Sequence, residues 1–296
     1  MGRHVVGALV AVAMFGSACG ITGTGSSGLI TVVAAEGFWG SIARQLGGDQ
    51  VRVQSVVTDP NGDPHEYESS ANDARAFADA NLVVLNGAGY DDWGQKLLDA
   101  NPSPNRVVLN VAAELGKKVG DNPHFWFNPD FVAVVADRIT SDYKAIDSAD
   151  AAHFDQRRSA FATALQPYLA EIANIKQRFG GTPVGATESI FVYMASALGL
   201  NLTTPVAFMD AVGEGNDPPA ASVVAFQNQI SFNQIKILVY NVQTVTAVTT
   251  NIKALAAARH IPSVGVSETI QPEGLSFQDW QLEQLKDIGG ALSSAS

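Results

Sequence analysis

The chain of 296 residues is short of cysteine, of charged residues and of basic side chains in particular. Its single cysteine, Cys19, excludes an internal disulfide. Charged residues make up 16% of the chain and hydrophobic residues 46%, which is typical of a folded protein with a buried core and not of a disordered one. The net charge of −11 argues against nucleic-acid binding, because contacts to phosphate need a basic face.

Two common catalytic motifs are also missing. The sequence contains no His-Glu-x-x-His motif, in which a helix supplies two zinc ligands and a general base. It contains no Gly-x-Ser-x-Gly elbow either, so Ser-His-Asp catalysis of the hydrolase type has no support. These absences favour a binding protein over a hydrolase.

The N-terminus has the pattern of a secretory signal peptide, which we assign to residues 1–18. The apolar run 5–15 is too short to span a bilayer. Small residues then lead to Cys19, an ending that resembles a bacterial lipoprotein cleavage box, although Gly16 stands where leucine is usual. We therefore expect Cys19 to carry a lipid and residues 19–28 to form a flexible tether. The alternative is an ordinary cleaved signal with an incidental cysteine.

From residue 29 onward, strand patterns alternate with helical patterns, which predicts an α/β fold with mostly parallel sheets flanked by helices. Amphipathic spacing over residues 152–179 predicts a long helix, and Pro167 inside it should bend or break it. Glu36 and Glu188 each begin a helix with matching Ala, Leu and Gly spacings, a weak sign of two similar lobes. We predict an N-terminal lobe, a linker helix and a C-terminal lobe at 29–150, 151–180 and 181–296.

Two of the five histidines lie in matching corners that follow predicted strands. His65 follows a proline in the segment 59–68, and His124 follows a proline in 121–129, where three aromatic residues come next. Proline fixes its own φ and biases the preceding residue towards extended backbone, so each corner is held in place. Both corners should lie near the carboxyl edge of a parallel sheet, where α/β folds bind their ligands.

Two carboxylates of the second half follow strands in the same way, Glu188 before a helix and Glu268 at the end of the last strand. His65, His124, Glu188 and Glu268 together predict one divalent metal site in the cleft between the lobes. Two imidazoles and two carboxylates suit manganese or ferrous iron, whereas zinc accepts the same ligands and binds more tightly. Bidentate carboxylates would raise the coordination number, which slightly favours Mn²⁺ over Zn²⁺.

The sequence resembles a known family over about residues 29–290, the cluster A-I (cluster 9) metal-binding solute-binding proteins of bacterial ABC importers. Asp63-Pro-His-Glu-Tyr-Glu resembles the motif of the family's first histidine, and Asn122-Pro-His-Phe-Trp-Phe-Asn-Pro resembles that of the second. Glu188, ahead of Phe191 and Tyr193, is similar to the glutamate form of the third ligand. Glu268 falls where the fourth ligand is commonly Asp. The His-rich loop of many zinc-specific members is missing between the two histidines.

The resemblance implies an extracytoplasmic lipoprotein, anchored to the bacterial membrane through Cys19, that captures Mn²⁺ or Zn²⁺ and delivers it to an ABC permease with its ATPase. It implies no enzymatic activity and no nucleic-acid partner, and we expect a monomer. Two alternatives stay open at this point. One is a surface adhesin with a structural metal. The other is a secreted metallohydrolase, which would need a coordination position open to water that four protein ligands do not leave.

Overall fold

The computed structural model of the protein describes residues 1–2, 4, 28–62 and 64–295. Most of the predicted signal peptide and tether, including Cys19, lies outside the described residues. In the described part of the chain, the fold contains eight strands in two parallel sheets and twelve α-helices. The predicted α/β fold with two similar lobes is confirmed.

The first lobe is built around four parallel strands, which lie across the sheet in the order Val51–Val57 (β2), Ile30–Glu36 (β1), Leu82–Leu85 (β3) and Val107–Asn110 (β4). Apolar residues fill β1 and β3 almost completely, as expected for strands covered by helices on both faces. The strands and the helices of this lobe are β1 Ile30–Glu36, α1 Gly37–Gly47, β2 Val51–Val57, α2 Ala71–Asp79, β3 Leu82–Leu85, α3 Asp92–Ala100, β4 Val107–Asn110, α4 Val111–Glu114 and α5 Pro129–Ile146.

The second lobe repeats this plan with four parallel strands in the order Asn201–Leu202 (β6), Pro183–Ala186 (β5), Leu238–Asn241 (β7) and Ser263–Val266 (β8). In each sheet the first strand along the chain, β1 or β5, lies between the next two strands. The chain therefore adds its second strand on one side of the first and its third strand on the other. This produces a topological switch point at the carboxyl edge, the usual place for a ligand. The elements are β5 Pro183–Ala186, α8 Val192–Ala197, β6 Asn201–Leu202, α9 Val206–Gly213, α10 Ala220–Ser231, β7 Leu238–Asn241, α11 Ala247–Ala258, β8 Ser263–Val266 and α12 Phe277–Ser294.

The predicted helix 152–179 between the lobes is two helices, α6 Ala151–Ala164 and α7 Gln166–Phe179. The break falls just before Pro167, which lies in the first turn of α7. Backbone N–H groups of a first turn have no acceptor within the helix, so the N–H that proline lacks is not missed there. The sequence thus indicated the position of the break.

One hydrophobic core joins the two lobes. It contains Trp39 of the first lobe and Trp280 of the second, together with Ile175 of the linker. Polar contacts add to it, since Gln45 on α1 exchanges hydrogen bonds with Gln278 on α12. The lobes are therefore packed against each other, and side chains at their facing edges have defined positions. No helix in the described part of the chain is long and apolar enough to cross a bilayer.

Candidate metal centre

Three polar side chains meet at the carboxyl edge of the second sheet. Glu188 lies two residues after β5, Asn241 is the last residue of β7, and Glu268 lies two residues after β8. Because neighbouring parallel strands end at the same edge, these side chains converge at the switch point of the sheet. All three are buried.

His65 reaches this edge from the first lobe. It lies in a 3₁₀ turn, Pro64–Glu66, that follows β2, and its side chain is partly exposed. Its Nε2 is 3.5 Å from Oε2 of Glu268. The proline corner therefore presents the imidazole to the acid of the opposite lobe.

His124 is fully buried, and its ring is held in one orientation. Nδ1 lies 2.7 Å from Oδ1 of Asn122, which can only accept, so Nδ1 carries the proton. The lone pair is then on Nε2, which has no hydrogen-bond partner among the residues described. Trp126 packs against the ring, with centroids 5.3 Å apart. A buried imidazole nitrogen without a donor is suited to a metal ion, and the Asn122 contact is of the kind that orients metal-binding histidines.

The loop around His124 is tied to both lobes. Asn86, which follows β3, donates its side-chain amide to the carbonyl of Pro123 at 2.9 Å. Asn122 donates to the carbonyl of Ser189 in the second lobe, and Tyr193 donates to the carbonyl of Asn122. The imidazole is thus fixed relative to the acids that it faces.

One ligand atom each from His65, His124 and Glu268 lies within 4.8 Å of the other two. Oε2 of Glu268 is 3.5 Å from Nε2 of His65 and 3.7 Å from Nε2 of His124. These separations are too long for good hydrogen bonds. They are close to the ~3.4 Å between two ligands that share a tetrahedral ion at about 2.1 Å. The three groups are spaced to share a metal.

Glu188 is not one of these three, but it is joined to them through Asn241. The side-chain nitrogen of Asn241 is 2.7 Å from Oε1 of Glu188 and 2.6 Å from Oε1 of Glu268. Glu188 is therefore a neighbour of Glu268, because both accept from the same amide. The structure brings all four predicted residues to one edge, three of them to ligand spacing.

Tyr90 is a residue of this centre that the sequence analysis did not assign. Its hydroxyl donates to Oε2 of Glu268 at 2.6 Å, across the cleft. It is presented by a turn in which Gly87, Ala88 and Gly89 all have positive φ. A side chain at Gly87 would meet Oδ1 of Asn110 at 2.3 Å, so glycine is required there. The Gly-rich segment directly after a buried strand was the available signal.

Burial and the neighbouring groups set the charges in the centre. Burial lowers the pKa of His124 by more than the nearby Glu268 raises it, so this imidazole is neutral at neutral pH. Burial alone would raise the pKa of Glu268, but His124, His65 and Tyr90 outweigh it and hold that pKa well below its usual range. A neutral imidazole beside an ionised carboxylate is the state in which both can bind a cation.

A cavity of about 400 Å³ opens beside His65 and His124 and is lined on its other side by residues of the second lobe, Ser189, Asp210 and Glu214. The centre therefore has an access route from solvent between the lobes. The acidic residues Asp210 and Glu214 in its lining are exposed to solvent.

A family model for the zinc-uptake complex component A, periplasmic (ZnuA), matches residues 32–291 of this chain. Two curated relatives are similar over most of the same region. The metal ABC transporter substrate-binding lipoprotein ScbA of Streptococcus cristatus is 28% identical over 212 residues, which cover 64% of this chain and 66% of ScbA. The manganese ABC transporter substrate-binding lipoprotein PsaA of Streptococcus pneumoniae is 27% identical over 218 residues, or 65% of this chain and 68% of PsaA.

A solved structure agrees in fold. The SBP FpvC from Pseudomonas aeruginosa in complex with Mn²⁺ superposes with a TM-score of 0.75 at 17% identity, over 90% of this chain and all of the other. At that identity the likeness shows the fold alone. The family match, by contrast, spans both sheets and the strand ends that carry the two histidines and the two acids. The chain belongs to the ZnuA family of zinc-uptake complex components.

Proposed function

We propose that the chain captures one divalent transition-metal ion, Mn²⁺ or Zn²⁺ with iron as a third candidate, and delivers it to an ABC permease that works with an ATPase. The ligands are His65, His124, Glu188 and Glu268. The observation that supports this best is Nε2 of His124, buried without a hydrogen-bond partner in the described part of the chain and 3.7 Å from an ionised carboxylate. An unsatisfied buried lone pair is costly unless something binds it.

The names of the relatives support the setting that we propose for this function. ScbA and PsaA are named as substrate-binding lipoproteins of metal ABC transporters, and PsaA as one for manganese. By analogy, this chain acts as a monomer on the extracytoplasmic face of the membrane, held there by a lipid on Cys19. Its lobes would be 29–150 and 181–296, with 151–180 as the linker between them.

The test compares metal binding of the wild type with that of a ligand variant. Elemental analysis of protein purified without added metal or chelator should find close to one Zn²⁺ or Mn²⁺ per chain. Calorimetry on His124→Ala should show a loss of about a hundredfold or more in affinity, since a site of four ligands binds zinc with roughly 10–16 kcal/mol.

His260→Asn is the matched control. His260 is exposed and has a φ of 56°, which asparagine tolerates. This variant should bind metal like the wild type. Equal affinities for wild type and His124→Ala would contradict the proposal. A surface adhesin with a structural metal would pass this test, so growth of a deletion strain under metal limitation is the second measurement. If added metal restores the growth of the deletion strain, the result supports a role in metal transport.

A further inference from the structure

Asn241 lies between the two acids of the second lobe and has its amide fixed in one orientation. Its Oδ1 accepts the backbone N–H of Gln243 at 2.9 Å, so its nitrogen must face the carboxylates. That nitrogen is 2.7 Å from Glu188 and 2.6 Å from Glu268, and 2.9 Å from the hydroxyl of Thr244. The two shortest contacts go to ionisable acceptors, where amide hydrogen bonds are strongest.

The two hydrogens of this amide therefore engage one oxygen of each carboxylate. In Glu268 the engaged atom is Oε1, and the other atom, Oε2, faces the two imidazoles. In Glu188 the engaged atom is again Oε1. Bidentate binding would have to bring Oε1 to the ion as well, and an oxygen that shares its electron density with a cation accepts a weaker hydrogen bond from the buried amide. The geometry thus favours one oxygen from each acid.

We propose that Asn241 is a specificity-determining residue, which limits Glu188 and Glu268 to one metal-binding oxygen each and so selects four-coordinate Zn²⁺ over Mn²⁺. This inference rests on the proposed metal-binding function and names its substrate. Two imidazole nitrogens and two carboxylate oxygens make the four donors of a tetrahedral zinc site. Manganese prefers octahedral, oxygen-rich surroundings, which bidentate carboxylates would approach and single oxygens do not.

The experiment measures Zn²⁺ and Mn²⁺ affinities of wild type and Asn241→Ala by competition with chelators, on samples whose circular dichroism shows a native fold. Losing an outer partner of metal ligands typically costs 10–100-fold in affinity. We expect that loss for Zn²⁺ and a much smaller one for Mn²⁺, so the ratio of the two affinities should fall at least about tenfold. Equal losses for both metals would mean that Asn241 is merely structural and would overturn the inference.

Asn81→Ala is the matched control. Asn81 precedes β3, at the sheet edge opposite the centre, and its side chain accepts one backbone hydrogen bond from Thr31. It should leave the affinity ratio unchanged. X-ray absorption of the zinc-loaded wild type needs no variant and covers the case in which Asn241→Ala does not fold. Four nitrogen or oxygen neighbours support the inference, and five or six overturn it.

The His124→Ala measurement separates the two proposals. If His124→Ala binds both metals like the wild type, the proposed site itself is wrong. If His124→Ala loses both metals while Asn241→Ala keeps the wild-type ratio, the site stands and the role of Asn241 alone is refuted.

Discussion

The hydroxyl of Tyr90 in the first lobe donates a 2.6 Å hydrogen bond to Oε2 of Glu268 in the second. This is the same oxygen that faces the imidazoles of His65 and His124. One carboxylate oxygen thus connects three side chains of the first lobe to the last strand end of the second. A metal ion bound there would join the lobes at the point where Tyr90 already joins them.

Replacing Tyr90 with Phe should destabilise the metal-free protein. The variant keeps the ring but removes a donor to a buried, ionised acceptor, which typically costs about 1.5–3 kcal/mol. Urea denaturation of the metal-free protein measures this as a lower midpoint. Tyr240→Phe is the control, because the Tyr240 ring packs under Lys253 outside the centre. If both variants unfold at the same urea concentration, the hydrogen bond across the cleft contributes nothing measurable.

Much of the centre was predictable because its residues follow a positional rule. Parallel strands place the residues after their carboxyl ends at one edge, so a histidine or a glutamate at a strand end has a predictable location. His65 and His124 were also marked by proline corners, which local sequence shows. The ligand set itself stays a prediction, but the shared edge follows from strand order alone.

Tyr90 and Asn241 could not be assigned in this way. Each acts through a hydrogen bond to a residue that is distant in the sequence. Tyr90 and Glu268, for example, are separated by 178 positions. In the sequence, an asparagine ending a strand and a tyrosine in a glycine-rich turn look like ordinary boundary residues. Which acid receives their hydrogens depends on how the lobes pack, and no local pattern encodes that packing.

Glu36 and Glu188 occupy corresponding strand ends, yet their surroundings differ. Glu188 accepts from Asn241, whereas neither oxygen of Glu36 has a donor among the residues described. Burial and the neighbouring Asp91 raise the pKa of Glu36 well above its usual value. Burial also raises the pKa of Asp91, but two backbone N–H groups favour its ionised form. Of the two neighbouring carboxyl groups, Glu36 is therefore the protonated one and Asp91 the ionised one.

Glu36→Gln should stabilise the metal-free protein at neutral pH. The folded protein holds the Glu36 proton more tightly than the unfolded chain, so stability falls as pH rises above the unfolded value of about 4.3. Glutamine is neutral in both states and avoids this loss. We expect the melting temperature of Glu36→Gln at pH 7 to be roughly 2–4 °C higher than that of the wild type, which corresponds to about 1 kcal/mol of stability. This gain should disappear towards pH 4.

Two comparisons test that expectation. Glu283→Gln changes an exposed carboxylate on α12 and should give no such pH-dependent gain, because water solvates that group in both states. Metal affinity of Glu36→Gln should match the wild type, since Glu36 is not a proposed ligand. A loss of stability at pH 7 that disappears towards pH 4 would show that the fold favours the ionised form of Glu36.

Cys19→Ala should release the protein from the membrane or leave its precursor uncleaved at this site. The cysteine follows an apolar run and small residues and precedes a Gly- and Ser-rich segment, as in lipoproteins. Fractionation of cells that express each form measures the effect. The control is Ser26→Ala within the same segment, which should fractionate like the wild type. Membrane association that is identical in the Cys19→Ala protein would refute the lipid anchor.

Acidification should weaken metal binding through the histidines before it affects the carboxylates. An imidazole must be neutral to bind a metal, so protons compete with the ion. An unperturbed imidazole titrates near ~6.5 and carboxylates near ~4. Where both free imidazoles are protonated, affinity should fall by about a hundredfold per pH unit, one decade for each displaced proton. Because burial lowers the pKa of His124, the full hundredfold loss per pH unit is reached only at pH values below those at which a histidine ordinarily titrates.

The fold loses stability over the same range for a related reason. The pKa of His124 is lower in the folded protein than in the unfolded chain, so the unfolded chain binds this proton more readily, and stability falls as pH drops below about 6.5. A ligand that binds only the folded state stabilises it in proportion to the logarithm of its affinity. Melting scans from pH 7.5 to 5, with and without Zn²⁺, should therefore show a metal-induced shift that shrinks steadily. The same scans on His124→Ala should show a smaller shift than the wild type at every pH, and a constant shift in the wild type would mean that the histidines do not bind the ion.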